Sequence, residues 1–134
     1  MNDNSITPIG NVTREPEARA VGDATVVSFG IAINTRKKEG DEWVDGEPKF
    51  YDVKAWRSLG ENVADTIQKG MRVIVYGTLD YESWETDGQK RSKHVVQADE
   101  VAPSLRWATA QVTKTAGGGG RSNEGGSTKP NPFR

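Results

Sequence analysis

Four residues in one short segment carry most of the chemistry this sequence offers: Phe50, Asp52, Lys54 and Trp56. They alternate with Tyr51, Val53 and Ala55, and along an extended strand successive side chains point to opposite faces. Phe50, Asp52, Lys54 and Trp56 then share one face, and Tyr51, Val53 and Ala55 the other. A core face does not tolerate an aspartate and a lysine, so the first face is expected to be wet, with two aromatic rings exposed on it. Flat exposed rings beside cations suit unpaired nucleic-acid bases. Each base stacks on a ring, worth about 1–3 kcal/mol, while Lys or Arg meets the phosphates. Subunit interfaces are also rich in aromatics, and parity alone leaves both readings open.

Two charged loops repeat the combination. Trp84 lies between Glu82 and Glu85 and the cations Lys90, Arg91 and Lys93. Trp43 follows the cluster Arg36-Lys37-Lys38. Each charge cluster alone reads as a solvated loop, but two loops that each pair a tryptophan with basic residues favour binding. In the segment from Met71 to Tyr81, Met71, Val73, Val75 and Leu79 are the expected core set, with Arg72, Ile74, Tyr76 and Thr78 facing away. The stacking candidates are therefore Trp43, Phe50, Trp56 and Trp84. The phosphate candidates are Arg36, Lys37, Lys54, Arg72, Lys90, Arg91 and Lys93.

Other chemistry is poorly provided for. His94 is the only histidine and there is no cysteine, so a two-histidine metal site, a thiolate site, a disulfide and a cysteine nucleophile are all excluded. No GxxxxGK[ST] or GxGxxG run occurs, and Gly117 to Gly120 lacks the strand and helix a phosphate loop needs. No catalytic constellation is recognisable, and no cofactor or metal is expected.

The elements that would position these residues read mostly as strand. Residues near 5 to 13 supply the first. Val27, Phe29, Ile31 and Ile33 alternate in the second. A charged, turn-rich stretch from Arg36 to Gly46 leads to the third, Phe50 to Trp56. Ser58 is placed to cap a helix from Leu59 to Gln68, with Glu61 as capping-box partner. Leu59, Val63, Ala64 and Ile67 fall on its apolar face, and Gly70 ends it with Lys69 in the last turn. Met71 to Tyr81 is the fourth strand, Asp87-Gly88 a turn, and Val95 to Val101 the fifth. Residues 104 to 113 are amphipathic, as a strand or an extended arm. This order predicts an all-β fold, a five-stranded OB barrel with one short helix between strands three and four.

The 134 residues allow one domain and a tail. The domain is expected over 1–113 and a flexible tail over 114–134, where residues 117 to 127 hold six of the fifteen glycines and the composition disfavours a packed core. The net charge of −1 is unusual for a polyanion binder. It is uneven: 114–134 carries +3, leaving −4 elsewhere. Any nucleic-acid surface on the folded part must therefore be a local patch, which counts against strong non-specific duplex binding. No apolar run approaches the roughly 20 residues of a membrane span, and MNDNSITPIG has no secretory pattern. A cytoplasmic, nucleoid-associated location and no membrane contact are expected.

Several short blocks in order resemble the bacterial single-stranded DNA-binding protein family over about residues 5 to 113. They are Gly10-Asn11-Val12-Thr13-Arg14-Glu15-Pro16-Glu17, Val27-Ser28-Phe29-Gly30-Ile31-Ala32, Glu61-Asn62-Val63, Lys69-Gly70-Met71-Arg72-Val73 and Tyr76-Gly77-Thr78-Leu79. Gly46 through Arg57, and Pro103 to Ala110, look most like actinobacterial or actinophage members. The resemblance implies a homotetramer that binds and protects single-stranded DNA without sequence preference in replication, recombination and repair. It places Phe50, Trp56 and Trp84 on stacking positions, Trp43 less closely, and Tyr51 at a subunit contact. It makes the segment around Leu105 and Trp107 an arm joining subunits. Family members usually end in acidic residues, proline and a terminal phenylalanine, a tip that recruits replication and repair enzymes. Here Pro132-Phe133 is followed by Arg134 and no acidic run precedes it, which argues against that recruitment. The rival readings are an OB adaptor for protein partners and a single-stranded RNA-binding barrel.

Overall fold

The computed structural model describes residues 4–115; the tail from residue 116 onward lies outside the described residues. The strands are β1 (Ser5–Ile6), β2 (Ile9–Val12), β3 (Glu17–Val21), β4 (Ala24–Ile33), β5 (Arg36–Glu39), β6 (Glu42–Asp45), β7 (Lys49–Trp56), β8 (Arg72–Thr86) and β9 (Gln89–Pro103). Among the described residues one helix, α1 (Arg57–Thr66), follows β7 and precedes β8. Among the described residues, those up to Ser104 belong to one compact unit and those from Leu105 to Thr115 to another. No described helix is long and apolar enough to cross a membrane.

The expected alternation builds the barrel. β2 pairs with β4, β4 with β7, β7 with β9, β9 with β8, and β8 returns to β2, so the circuit closes. All of these pairs are antiparallel except β7–β9, where Asp52, Val53 and Lys54 lie parallel to Val95, Val96 and Gln97. Closure leaves these strands no open edge. Inside lie Val27, Phe29 and Ile31 of β4, Val53 and Ala55 of β7, Val73 and Val75 of β8, and Val96 of β9, each 1% exposed or less. Each such side chain contributes about 1.5–3 kcal/mol on burial. Val63 and Ile67 cover the core from the helical side, and Met71 and Leu79 pack partly against it.

Several expectations need correction. The first strand is broken at Thr7-Pro8 into β1 and β2, because proline has no N–H for the ladder. Ser58 does not cap the helix. Helix α1 starts directly off the end of β7, through a left-handed turn at Arg57 (φ 60°), so Ser58 is already inside the first turn. The residue before the helix is Trp56, with no side-chain cap. The helix also ends at Thr66 rather than Gln68, because Ile67 turns extended (φ −85°, ψ 136°) to reach the core. Lys69 and Gly70 lie beyond it, and the Gly70 N–H donates to the Val12 carbonyl at 2.8 Å. Ala64 is exposed, off the packed face.

Three strands stand where none were expected. β3, every residue of it exposed, pairs with β4. β5 and β6 form a separate two-stranded sheet in the charged loop. None of the three buries a face, so none leaves a hydrophobic alternation in the sequence. The last hairpin is longer than expected: β8 and β9 stay paired out to Thr86 and Gln89. Asp87 and Gly88 turn it with φ of 53° and 78°, the left-handed pair that a two-residue turn of this twist requires. Residues 104 to 115 have neither helix nor strand, and Leu105 and Trp107 in that segment are 65% and 74% exposed.

Candidate nucleic-acid interface

The outer face of β7 carries the alternation anticipated for it. Phe50 is 64% exposed, while Asp52, Lys54 and Trp56 are half-buried on the same side. Register with β4 sets Lys54 opposite Ser28, Asp52 opposite Gly30 and Trp56 opposite Val26. On the other flank, the parallel β9 brings Val95 and Gln97 level with Asp52 and Lys54. Val26 and Val95 are buried yet lie outside the core cluster. They form an apolar floor beneath this outer face.

The extended β8–β9 hairpin raises a wall beside that floor. Cross-strand pairing sets Glu82 opposite Lys93 and Trp84 opposite Arg91, and directly opposed residues share a face. Between hairpin and floor runs an open cleft of about 540 Å³, lined by Arg14, Arg19, Ser28, Asp52, Lys54, Glu82, Ser83, Trp84 and Lys93. The Lys93 ammonium sits 5.7 Å from the centre of the Trp84 ring, within cation–π range. Trp84 remains 42% exposed, so its ring is accessible to an incoming flat group.

The sequence candidates divide by position. Lys54, Trp84 and Lys93 line the cleft. Trp56 continues the same β7 face, its indole N–H donating to Gln97 Oε1 at 2.9 Å. Phe50 extends the face toward the other end of β7. Arg91 shares the face of Trp84, whereas Lys90, opposite Glu85, falls on the reverse side of the hairpin. Arg36, Lys37 and Trp43 stand apart on the β5–β6 hairpin, where the Arg36 guanidinium donates to the Trp43 carbonyl at 3.4 Å and the Trp43 side chain is 60% exposed. Arg72 lies at the start of β8 opposite Asn11 and is not among the residues lining the cleft. Tyr51, on the core-side face of β7, meets His94 edge-on at 6.2 Å, and His94 meets Tyr81 at 5.4 Å.

Sequence reasoning missed Arg14 and Arg19, which enter the cleft from beyond β2 and from β3. Arg19 arrives on β3, which is exposed throughout and gives no periodic signal, and Arg14 from the connection between β2 and β3. It also missed Gln97, because the pairing of β9 with β7 spans residues far apart in the chain.

A closed five-stranded barrel with a helix after the third strand of its circuit, and an aromatic, cationic cleft across one face, defines an OB-type binding barrel. Comparisons narrow this class. The model of the single-strand binding protein family matches residues 3–104, and the chain belongs to that family. It is 46% identical to the single-stranded DNA-binding protein of Corynebacterium glutamicum, over 89% of this chain and 55% of that protein. It is 44% identical to the Mycobacterium leprae single-stranded DNA-binding protein, over 88% and 73%. The chain thus spans about half the length of the first and about three quarters of the second. Among solved structures, the small single-stranded DNA-binding protein of Streptomyces coelicolor superposes with a TM-score of 0.68 at 30% identity, covering 78% of this chain and 97% of that one. The second single-stranded DNA-binding protein of Mycobacterium smegmatis gives 0.64 at 26%, covering 83% and 98%.

Proposed function

We propose that the protein binds single-stranded DNA without sequence preference, as a non-enzymatic homotetramer in the cytoplasm, and shields unwound strands during replication, recombination and repair. One observation carries the reading: an accessible indole, Trp84, stands over a lysine in a cleft floored by the outer face of β7. Bases stack on Trp84, Trp56 and Phe50 whatever their identity, because every base has a π-face. Lys54, Lys93, Arg91, Arg14 and Arg19 meet phosphates. The names of the relatives point the same way. Arg36, Lys37 and Trp43 extend the track along the β5–β6 hairpin, and Arg72 and Lys90 are peripheral to it. Tyr51, Leu105 and Trp107 serve contacts between subunits. The domain boundary falls near residue 113.

Oligo-dT titrated into the protein is expected to quench tryptophan fluorescence, with salt weakening the complex at a slope near −0.7 per phosphate neutralised. Trp84→Ala is expected to weaken binding by about 1–3 kcal/mol while the circular dichroism spectrum stays the same. No quenching and no gel shift at low salt would remove the reading. Competition by oligo-U as strong as by oligo-dT would turn it toward RNA.

A further inference from the structure

Most cations of the cleft are already paired within it. Four line it, Arg14, Arg19, Lys54 and Lys93, together with two carboxylates, Asp52 and Glu82. Lys93 Nζ lies 2.7 Å from Asp52 Oδ2, and Arg14 Nη1 lies 3.4 Å from Asp52 Oδ1. Lys54 Nζ lies 3.1 Å from Glu82 Oε2. Three of the four cations are thus ion-paired to the two acids of the same cleft. The fold makes room for this. Gly30 stands opposite Asp52 in the β4–β7 ladder, and a methyl group there would come within 2.5 Å of the Arg14 guanidinium. The missing side chain leaves the path by which Arg14 crosses β4 to reach Asp52.

We infer that Asp52 and Glu82 act as resident anions, holding the positions that phosphates take, so that a strand enters the cleft by exchanging ion pairs. This rests on the DNA-binding reading above and adds to it a restraint on affinity. A phosphate that takes Lys54 leaves Glu82 without its partner and beside a new negative charge, and like charges at contact distance repel. Asp52 is the stronger restraint, because one carboxylate engages cations from two sides and its side chain is 24% exposed. The freed acids recapture cations from solution, which offsets part of the counterion release that drives binding. The acids also set the resting direction of Lys54 and Lys93, so the empty cleft keeps its cations aimed inward without a net excess of bound anion.

The sign of two charge-removing substitutions tests this in the full-length protein. Glu82→Gln and Asp52→Asn keep side-chain shape and remove the charge. Each is expected to bind fluorescent oligo-dT several-fold more tightly than wild type at the same salt. The salt dependence should steepen by up to about 0.7 for each pair no longer exchanged, most for Asp52→Asn. Wild-type affinity and slope in Glu82→Gln, or weaker binding, would overturn the inference and leave the acids as positioning groups alone. Glu82 lies on the projecting hairpin, so its substitution carries the test even if Asp52→Asn unfolds. A wild-type protein that fails to bind oligo-dT would sink the underlying reading instead. Wild-type binding with an unmoved Glu82→Gln sinks only the exchange.

Discussion

The orientation of Trp56 is fixed by a short relay. Its indole N–H donates to Gln97 Oε1 at 2.9 Å, and Gln97 Nε2 donates to Asp80 Oδ2 at 3.5 Å. The second bond keeps the amide oxygen turned toward the ring, so the indole is held by its edge. Gln97→Leu removes the acceptor. It is expected to weaken oligo-dT binding by about 1 kcal/mol, the usual net worth of such a bond, with little change in thermal unfolding. A titration beside a melting curve checks it; equal affinity would mean that packing alone orients the ring. The residues themselves were partly legible. Phe50, Lys54 and Trp56 declare their shared face through strand parity, and Trp84 through the lack of apolar neighbours. Asp52 shares that parity, but its pairing with Lys93, like the place of Gln97, depends on a register between distant strands.

The elements follow the same division. β4, β7 and the first half of β8 each bury one face, and their alternation reads directly from Val27, Phe29, Ile31, Val53, Val73 and Val75. β3, β5 and β6 bury none, and nothing in their composition sets them apart from loops. Helix α1 was legible in its middle, where Val63 is buried, but not at its ends, where the close of β7 and the demand of Ile67 for the core overrule Ser58 and Gly70. The β8–β9 hairpin depends on its turn. Gly88 has φ 78°, a region that costs a β-branched residue about 1–3 kcal/mol. Gly88→Val is therefore expected to loosen the wall that carries Trp84 without opening the barrel. Amide exchange should quicken around residues 84–91 and stay slow in β4 and β7. Uniformly faster exchange would mean that the hairpin and barrel unfold together.

At the scale of the whole molecule, one core serves the closed circuit of strands. Phe29 is fully buried at its centre, and Phe29→Ala is expected to cost about 3–5 kcal/mol in denaturant unfolding. A loss under 1 kcal/mol would mean the barrel collapses around the gap. The exposed Leu105 and Trp107 belong to the second unit. Replacing both by serine is expected to lower the mass seen by light scattering if that segment joins subunits, and to leave it unchanged otherwise. The closure itself was legible only as an order of elements, since no local signal states that β9 lies parallel to β7. That pairing also bears on the birth of the protein. Parallel neighbours need a long crossover between them, and contacts distant in sequence form slowly. On the ribosome, Lys54 and Trp56 emerge well before Lys93 and Gln97. Until the final strand leaves the exit tunnel, the nascent chain lacks Lys93 of the cleft and the Gln97 partner of Trp56.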